Sequence, residues 1–241
     1  MIGGGPGAFI GDAHRRASRI CNDYELVGGV FSSNSEKNTQ FAVNEGIDLS
    51  RCYSGVESLI EAEKALPANK RMEAVAIVTP NALHYSAARM LLENGFHIVC
   101  EKPMTMTVEE ALELEEIVNQ TKLTFALAHT YTGYPMVRQM RDLISQGILG
   151  TIQRIDAQYY QGWINSIIHG TESRITGVWR LDPRHAGVSS CMGDIGVHAF
   201  NLIEYTTGLE IREILSDLRR VKDNIKLDLD GTVLLRFGGY L

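Results

Sequence analysis

Strand-like and helix-like segments alternate along the first 128 residues of this chain. Short apolar runs are each separated by a segment in which apolar residues recur at helical spacing. The apolar runs lie at 26–31, 74–78, 96–100 and 124–128, and the helical patterns lie near 12–20, 36–45, 56–66, 82–94 and 108–120. Strands that alternate with helices predict an α/β domain with a parallel, doubly wound sheet.

The pattern changes after residue 128. A helical segment near 134–146 is followed by a strand near 151–161, an irregular polar stretch at 165–190, a helix near 194–205 and strands near 214–221 and 232–237. This order predicts an α+β domain with a mostly antiparallel sheet. We therefore expect two domains, 1–128 and 129–241.

Composition argues against several classes of protein. The 241 residues carry a net charge of -6 and no cluster of Lys and Arg, which argues against a nucleic-acid-binding surface. No apolar run approaches the ~18 residues that span a bilayer, and no signal peptide precedes the first glycines. The four cysteines are isolated, as is typical of reduced thiols. We expect a cytoplasmic protein that binds neither nucleic acid nor membrane.

A glycine-rich run begins at Gly3 and ends at Gly11. Gly3 and Gly5 provide the first two glycines of a G-x-G-x-x-G motif, which lets backbone N–H groups approach a pyrophosphate at a helix N-terminus. Gly11 lies three positions later than the motif requires, so we expect a longer turn. Only Met1 and Ile2 precede the run, fewer residues than a leading strand usually has. The run predicts dinucleotide binding, and the alternative is a flexible tail.

The apolar run at 96–100 ends in Glu101, Lys102 and Pro103. Proline cannot continue a β-ladder and favours an extended conformation in the residue before it, so the strand is expected to stop there. The Lys102 ammonium then lies at the carboxyl edge of the sheet, where open α/β sheets bind ligands. The segment indicates a functional lysine, and the alternative is a solvated strand end.

Asp194 and His198 lie four positions apart and therefore share one face of the helix predicted after Gly193. Imidazole is a base that titrates near neutrality, and a helix N-terminus disfavours its protonated form. Such a group can take the proton of a hydroxyl whose carbon loses hydride. The alternative makes Asp194 a helix N-cap and His198 a buried residue bonded to backbone.

Four motifs, in their order along the chain, resemble those of a known family. They are Thr79-Pro80-Asn81-Ala82-Leu83-His84, Cys100-Glu101-Lys102-Pro103, Trp179-Arg180-Leu181-Asp182-Pro183 and Gly193-Asp194-Ile195-Gly196-Val197-His198. Together they are similar to motifs of the glucose–fructose oxidoreductase and inositol dehydrogenase family (Gfo/Idh/MocA). The resemblance implies an N-terminal Rossmann domain, a C-terminal sheet domain with further strands beyond Leu241, and NAD(P)-dependent oxidation of a hydroxyl on a sugar or cyclitol.

Motifs and resemblance together assign roles to individual residues. The resemblance implies catalysis by Lys102, Asp194 and His198. Contacts to NAD or NADP are expected from Gly3, Gly5, Gly7, Ala8, Phe9, Ile10, Ser32, Ser33, Lys37, Thr79, Pro80, Asn81, His84, Glu101 and Lys102. Contacts to the substrate are expected from Lys102, Tyr131, Trp179, Arg180, Asp194 and His198.

Several of these residues have a structural alternative. The alternative role of Thr79 and Asn81 is to cap the helix that follows them. The alternative role of Trp179 and Arg180 is to anchor a loop by packing. Four further aromatic residues are candidates for contact with a sugar, and the alternative is that they belong to the core: His129, Tyr131, Tyr160 and Trp163. The remaining histidines show no ligand spacing, so no metal site is predicted.

Cofactor choice normally depends on an acidic residue about 20 residues beyond the glycines, which binds the ribose 2′-hydroxyl. Here the strand ends in Ser32, Ser33 and Asn34, and the next carboxylate is Glu36. We therefore expect weak discrimination, with NADP held through Ser32, Ser33 and Lys37. The resemblance also implies a homo-oligomer, a dimer or tetramer, formed through the open face of the second sheet.

Two other functions remain open at this point. A nucleotide-binding regulatory or structural protein of the same fold would bind the cofactor without turnover. A lyase or hydrolase acting on sugars would use a tightly held NAD as a transient oxidant and yield a non-redox product.

Overall fold

The computed structural model describes residues 1–162, 164, 165, 169, 178–221 and 223–238. The chain divides into two compact units, Met1–Ala128 and His129–Leu241. Trp163, a candidate for sugar contact, lies outside the described residues, as does part of the polar stretch at 165–190.

A parallel sheet forms the centre of the first unit. Its strands are β1 (Ile2–Gly3), β2 (Ala74–Val78), β3 (His97–Cys100) and β4 (Phe125–Leu127), and they lie side by side in that order. The pairing of Gly3 with Val78 and of Ile77 with Cys100 aligns the carboxyl ends of β1, β2 and β3. The predicted parallel sheet is confirmed, and the segments that follow these strands meet at one edge.

The strand predicted at 26–31 joins this sheet only briefly. The Val30 N–H donates to the Met1 carbonyl at 2.9 Å, and the Gly3 N–H donates to the Val30 carbonyl at 2.7 Å. Gly29 forms a second isolated bridge, with Cys52. A Cβ on Gly29 would lie 2.1 Å from the Met1 carbonyl oxygen, so the two backbones meet at a close crossing rather than along a ladder.

Helices separate the strands of the first unit, and local sequence sets several of their ends. The helices are α1 (Phe9–Cys21), α2 (Ser35–Asn44), α3 (Val56–Ala65), α4 (His84–Glu93) and α5 (Val108–Thr121). Thr107 accepts a hydrogen bond from the Glu110 N–H at the start of α5, as a capping residue does. Gly95 follows α4 with a φ of 87°, the left-handed conformation that commonly ends a helix.

Apolar side chains fill the space between the sheet and its helices. Completely or almost completely buried members of this core include Leu59, Ile77, Leu91, Phe96 and Ile98. Each such side chain contributes roughly 1.5–3 kcal/mol when it leaves water. The core therefore fixes β2 and β3, and with them the segments at their carboxyl ends.

The first unit also buries a carboxylate. Glu63 on α3 has an exposed fraction of 0%, and it accepts two hydrogen bonds from the Arg51 guanidinium at 2.8 Å each. The Tyr53 hydroxyl and the Met72 N–H donate to the same carboxylate. Burial alone would raise the pKa of Glu63, but these bonds outweigh burial and hold its pKa below the ordinary value. Glu63 is thus charged and ties α3 to the chain before β2.

The second unit contains an antiparallel pair of strands, β5 (Glu210–Arg219) and β6 (Asp230–Gly238). The register runs from Glu210 opposite Gly238 to Arg219 opposite Asp230, with one irregularity near Ile211. The described helices of this unit are α6 (Pro135–Ser145), α7 (Pro183–Ala186) and α8 (Val197–Thr207), and α6 packs against α8. The predicted antiparallel sheet is confirmed.

The strand predicted at 151–161 is wrong. Among the described residues, none of this segment joins a β-ladder. Arg154 instead donates to Asp156, two residues along the chain. An extended segment becomes a strand only where a second backbone runs beside it, and here a cavity of about 1130 Å³ is lined by this segment on one side and β6 on another.

Candidate functional site

The glycine run forms a turn between β1 and α1. Gly3, Gly4 and Gly7 have positive φ values of 80°, 73° and 76°, which residues with a side chain rarely adopt. Gly11 lies against Gly4, since a Cβ on Gly11 would be 2.4 Å from the Gly4 Cα atom. The first turn of α1 therefore packs closely on the glycine turn, although the third glycine comes late in the sequence.

The N-terminus of α1 suits an anion. Its N-cap residue is Ala8, whose side chain offers no hydrogen bond to the first N–H groups of the helix. Helix N-termini leave such groups unsatisfied, and together with the helix dipole they bind phosphate. Phe9 at the helix start is exposed. The expected contacts of a pyrophosphate with Gly3, Gly5, Gly7, Ala8, Phe9 and Ile10 stay a prediction.

Ser32, Ser33 and Lys37 lie where the chain enters α2, and Ser33 and Lys37 are exposed. The turn is held by Asn38, a buried amide that the sequence analysis missed. Its oxygen accepts the Phe31 N–H at 2.7 Å and the Ser32 N–H at 3.2 Å, while its nitrogen donates to a backbone carbonyl at 2.8 Å. Asn38 therefore fixes the segment that presents Ser33 and Lys37.

Thr79, Pro80 and Asn81 follow β2. Pro80, rather than either polar residue, occupies the N-cap position of the short turn Asn81–Leu83, so the alternative role of Thr79 and Asn81 as caps there is wrong. Asn81 is buried. The Thr79 hydroxyl oxygen is buried and has no hydrogen-bond partner within the described residues. Buried polar atoms normally have a partner, and the expected contact of Thr79 with the cofactor would supply one; that contact stays a prediction.

His84 connects two strand ends. The residue is fully buried, with Nδ1 2.7 Å from the Pro103 carbonyl oxygen and Nε2 3.0 Å from the Thr79 carbonyl oxygen. The ring thus lies between the segments that follow β2 and β3, and as a neutral imidazole it donates to one of the two carbonyls at a time. Both ring nitrogens face backbone carbonyls, so His84 contributes to the site by holding these segments. Its expected direct contact with the cofactor stays a prediction.

Glu101 and Lys102 follow β3, as the sequence predicts. Glu101 is buried, and its Oε1 atom lies 2.8 Å from His14 Nε2 on α1. Its other oxygen accepts the Lys102 N–H at 3.3 Å. Lys102 is half-buried, and its peptide bond to Pro103 is cis. His14, which the sequence analysis did not associate with the site, therefore orients the carboxylate beside the candidate catalytic lysine.

The second unit gathers aromatic rings around His198, the second residue of α8, which is 9% exposed. Its ring centroid lies 4.7 Å from that of Tyr131, 6.0 Å from that of His129 and 6.2 Å from that of Tyr159. The hydroxyls of Tyr131 and Tyr159 share a hydrogen bond. Burial, followed by this bond, raises the pKa of Tyr131 to about 12, so the phenol stays protonated at neutral pH.

Within the segment 151–161, the ring that lies near His198 is that of Tyr159, which the sequence analysis did not single out. Tyr160, its neighbour and the expected candidate, is 85% exposed. Because 151–161 forms no strand, alternation along this segment does not identify the inward side chain. The sequence shows two adjacent aromatic residues, Tyr159 and Tyr160, but it does not show which of the two rings faces His198.

Asp194 and Arg180 form an ion pair. Arg180 Nε donates to the Asp194 carboxylate at 3.0 Å, and the Arg180 guanidinium lies 4.4 Å from the Trp179 ring centroid. Asp194 belongs to a π-helical turn, Cys191–Gly196, so the predicted helix starts with a wider turn and Asp194 is not its N-cap. The structure brings Asp194, Arg180 and Trp179 together. Their convergence with Lys102 of the first unit stays a prediction.

The described residues contain neither a cluster suited to a metal ion nor a helix suited to span a membrane. No group of three or more His, Cys, Asp and Glu side chains there is arranged as a possible metal site. No described helix has both the length and the apolar character that a bilayer-spanning helix needs.

Comparison with known proteins matches both parts of the chain to one family. Residues 1–129 match the family described as "Oxidoreductase family, NAD-binding Rossmann fold" (GFO_IDH_MocA). Residues 137–241 match the "GFO/IDH/MocA C-terminal domain".

Individual relatives are longer than this chain. An uncharacterised oxidoreductase of Bacillus subtilis is 33% identical over 90% of this chain and 55% of its own length. An NADP⁺-dependent D-xylose 1-dehydrogenase of Haloarcula marismortui is 28% identical over 69% of this chain and 47% of its own length. The chain spans about half the length of these relatives.

Solved structures show the same fold. The inositol dehydrogenase homolog of Azotobacter vinelandii, complexed with NAD⁺, is 33% identical with a TM-score of 0.93 over 100% of this chain and 61% of that chain. The same homolog complexed with NADH and myo-inositol is 31% identical with a TM-score of 0.89, over 100% of this chain and 60% of that chain.

Proposed function

Because this chain belongs to the Gfo/Idh/MocA family of oxidoreductases, with the NAD-binding Rossmann fold in residues 1–129, we propose that it transfers a hydride between a sugar or cyclitol hydroxyl and NAD or NADP. The observation that carries the proposal is the uncapped start of α1 behind a glycine turn, at the same sheet edge as Lys102. That edge suits an anionic dinucleotide. Relatives that bind myo-inositol or oxidise D-xylose support the substrate class.

The second unit supplies the base in this proposal. Hydride leaves a carbinol carbon only as the hydroxyl proton is removed, and His198 takes that proton. Asp194, fixed by its bond from Arg180, orients the substrate hydroxyl or the imidazole. Lys102 stabilises the alkoxide that develops on the substrate oxygen. NAD or NADP, when bound, would supply the nicotinamide ring that accepts or returns the hydride.

Tyr131, Trp179 and Arg180 contact the substrate in this proposal. The protonated phenol of Tyr131 lies beside His198, where it can donate to or accept from a polyol hydroxyl. The flat face of Trp179 and the guanidinium of Arg180 suit the apolar and polar faces of a sugar ring.

A screen of sugars and cyclitols against both cofactors tests the function. We expect reduction of NAD or NADP with at least one polyol. Cofactor binding without any turnover would favour the non-catalytic alternative, and a non-redox product without net change in the cofactor would favour the lyase or hydrolase. Either result would overturn the proposed dehydrogenase.

We expect the protein to discriminate weakly between NAD and NADP. Ser33 and Lys37 are exposed at the start of α2, where they can meet a 2′-phosphate, and Glu36 is the first carboxylate after the strand. The measurement is the ratio of kcat/KM for the two cofactors. Lys37→Ala should lower kcat/KM for NADP and leave kcat/KM for NAD unchanged. A preference for NAD above about a hundredfold, roughly 2.7 kcal/mol, contradicts this prediction.

We expect self-association through the β5–β6 surface. Leu215 and Leu234 lie opposite each other on these strands and are 69% and 65% exposed. Exposed apolar clusters commonly mark interaction surfaces. The solution mass of the complete protein, measured by light scattering, should therefore be that of a dimer or tetramer. Leu215→Glu should reduce it, and a monomeric parent at micromolar concentration refutes the prediction.

A cytoplasmic location is part of the same proposal. It is supported by the four free cysteines, which include the exposed Cys21. Exposed free thiols are typical of reducing compartments.

A further inference from the structure

Asp228 lies shortly before β6, and its side chain is only 7% exposed. One carboxylate oxygen accepts the Ser190 N–H at 2.9 Å, and the other accepts the Met192 N–H at 2.9 Å and the Ser189 hydroxyl at 3.1 Å. Its own carbonyl accepts the Cys191 N–H at 3.0 Å. All of these contacts fall on one short segment, at the start of the π-helical turn.

These bonds provide a helix cap that the local sequence lacks. Ser190 occupies the N-cap position of the turn, but its side chain makes no capping bond. The first N–H groups of a helix need acceptors from outside it. The Asp228 carboxylate supplies such acceptors directly to the Ser190 and Met192 N–H groups. It also accepts a hydrogen bond from the Ser189 hydroxyl, whose oxygen in turn accepts the Gly193 N–H at 2.9 Å. A charged acceptor makes stronger bonds to N–H groups than a neutral one.

Packing between the same turn and β6 adds to the cap. A Cβ on Gly196 would lie 2.7 Å from the Met192 sulfur, and a Cβ on Gly231 would lie 2.6 Å from the Met192 methyl carbon. Met192 therefore occupies a narrow space between the turn and β6. β6 thus packs against the turn that contains Asp194 and leads into α8, where His198 lies.

We propose that Asp228 is a positioning residue that fixes Asp194 and His198 for proton transfer. The inference rests on the proposed function, in which His198 is the base, and Asp228 itself does not touch the reacting atoms. A misplacement of about 1 Å can cost about 100-fold in rate. We expect the π-helical turn to shift when these bonds to Asp228 are removed.

The test compares the complete protein with Asp228→Ala, Asp228→Asn and a matched control, Asp230→Asn. Asp230 is exposed and pairs with Arg219 at 3.5 Å. We expect Asp228→Ala to lower kcat by about 100-fold with unchanged cofactor affinity. Asp228→Asn keeps one acceptor oxygen and should recover part of this loss, while the control should retain the kcat of the parent.

Nuclear magnetic resonance of the His198 ring gives a second readout that needs no substrate. The ring signal is assigned by its loss in His198→Gln, and it should shift in Asp228→Ala but not in Asp230→Asn. An unshifted His198 signal together with parental kcat overturns the inference. If the parent lacks turnover, the proposed function fails and the ring signal alone decides on Asp228. If Asp228→Ala does not fold, the same readouts on Asp228→Asn decide.

Discussion

Replacing His198 by alanine is expected to lower kcat by about 10²–10⁴-fold, the usual cost of losing a general base. The imidazole is mostly buried against the rings of Tyr131 and Tyr159, so its orientation is set by packing. Affinity for NAD or NADP should change little, because the expected dinucleotide contacts lie in Met1–Ala128. The loss should therefore fall on kcat rather than on cofactor binding.

Lys102→Ala is expected to have an effect of the same order. An alkoxide that loses its neighbouring ammonium loses charge stabilisation in the transition state, and a loss of about 10²–10⁴-fold corresponds to roughly 3–5 kcal/mol of barrier. His185→Ala and Lys70→Ala replace exposed residues of the same types and serve as controls. Parental turnover in both the His198 and the Lys102 variants would defeat the mechanism.

Glu63→Ala is expected to lower the free energy of unfolding by about 3–5 kcal/mol, the usual cost of breaking a buried ion pair. The substitution leaves the Arg51 guanidinium and the Tyr53 hydroxyl without their shared acceptor. Glu61→Ala, on the same helix and exposed, is the matched control. Denaturant unfolding of the three proteins measures the difference, and equal midpoints for Glu63→Ala and the parent would contradict the prediction.

Because the Glu63 carboxylate can be protonated, we expect the stability of the protein to depend on pH. The pKa of Glu63 is lowered in the folded protein from its ordinary value of 4.5. The contribution of the Glu63 carboxylate to the free energy of unfolding is therefore complete at a pH above its ordinary pKa. This contribution is lost as the pH falls through the lowered pKa of the folded state. Glu63→Gln removes the titrating group, so its free energy of unfolding should fall less on acidification than that of the parent.

Local periodicity was sufficient to predict β2, β3 and β4 of the first sheet, but not β1 or the brief contact at Val30. β2 and β3 are short, mainly apolar runs in which buried and half-buried residues alternate, with neither face exposed, as is typical of parallel strands between helices. The same reasoning failed at 151–161, because strand formation depends on a neighbouring backbone that the segment itself does not encode. The start of α8 was misjudged for a similar reason, since the acceptor that caps its leading turn is Asp228, far along the chain.

Residue types and their order indicated the chemistry better than the supporting contacts. The resemblance implied catalytic roles for Lys102, Asp194 and His198, whose side chains also suit proton transfer and alkoxide stabilisation, and these roles stay predictions. Asn38 and His14 were not identifiable, because nothing in the sequence near them shows which turn or carboxylate they meet in the fold. Contacts between distant segments are set by how the elements pack, and local patterns carry little information about them.

The buried ring of His84 has a consequence for how this protein can change. One imidazole holds both the Thr79 segment, expected to bind the cofactor, and the segment that carries Lys102. A substitution that shifts either carbonyl therefore alters the position of the other through the ring. If Thr79 and Lys102 have the proposed roles, a substitution that displaces the His84 ring is expected to change both cofactor affinity and the rate of the chemical step.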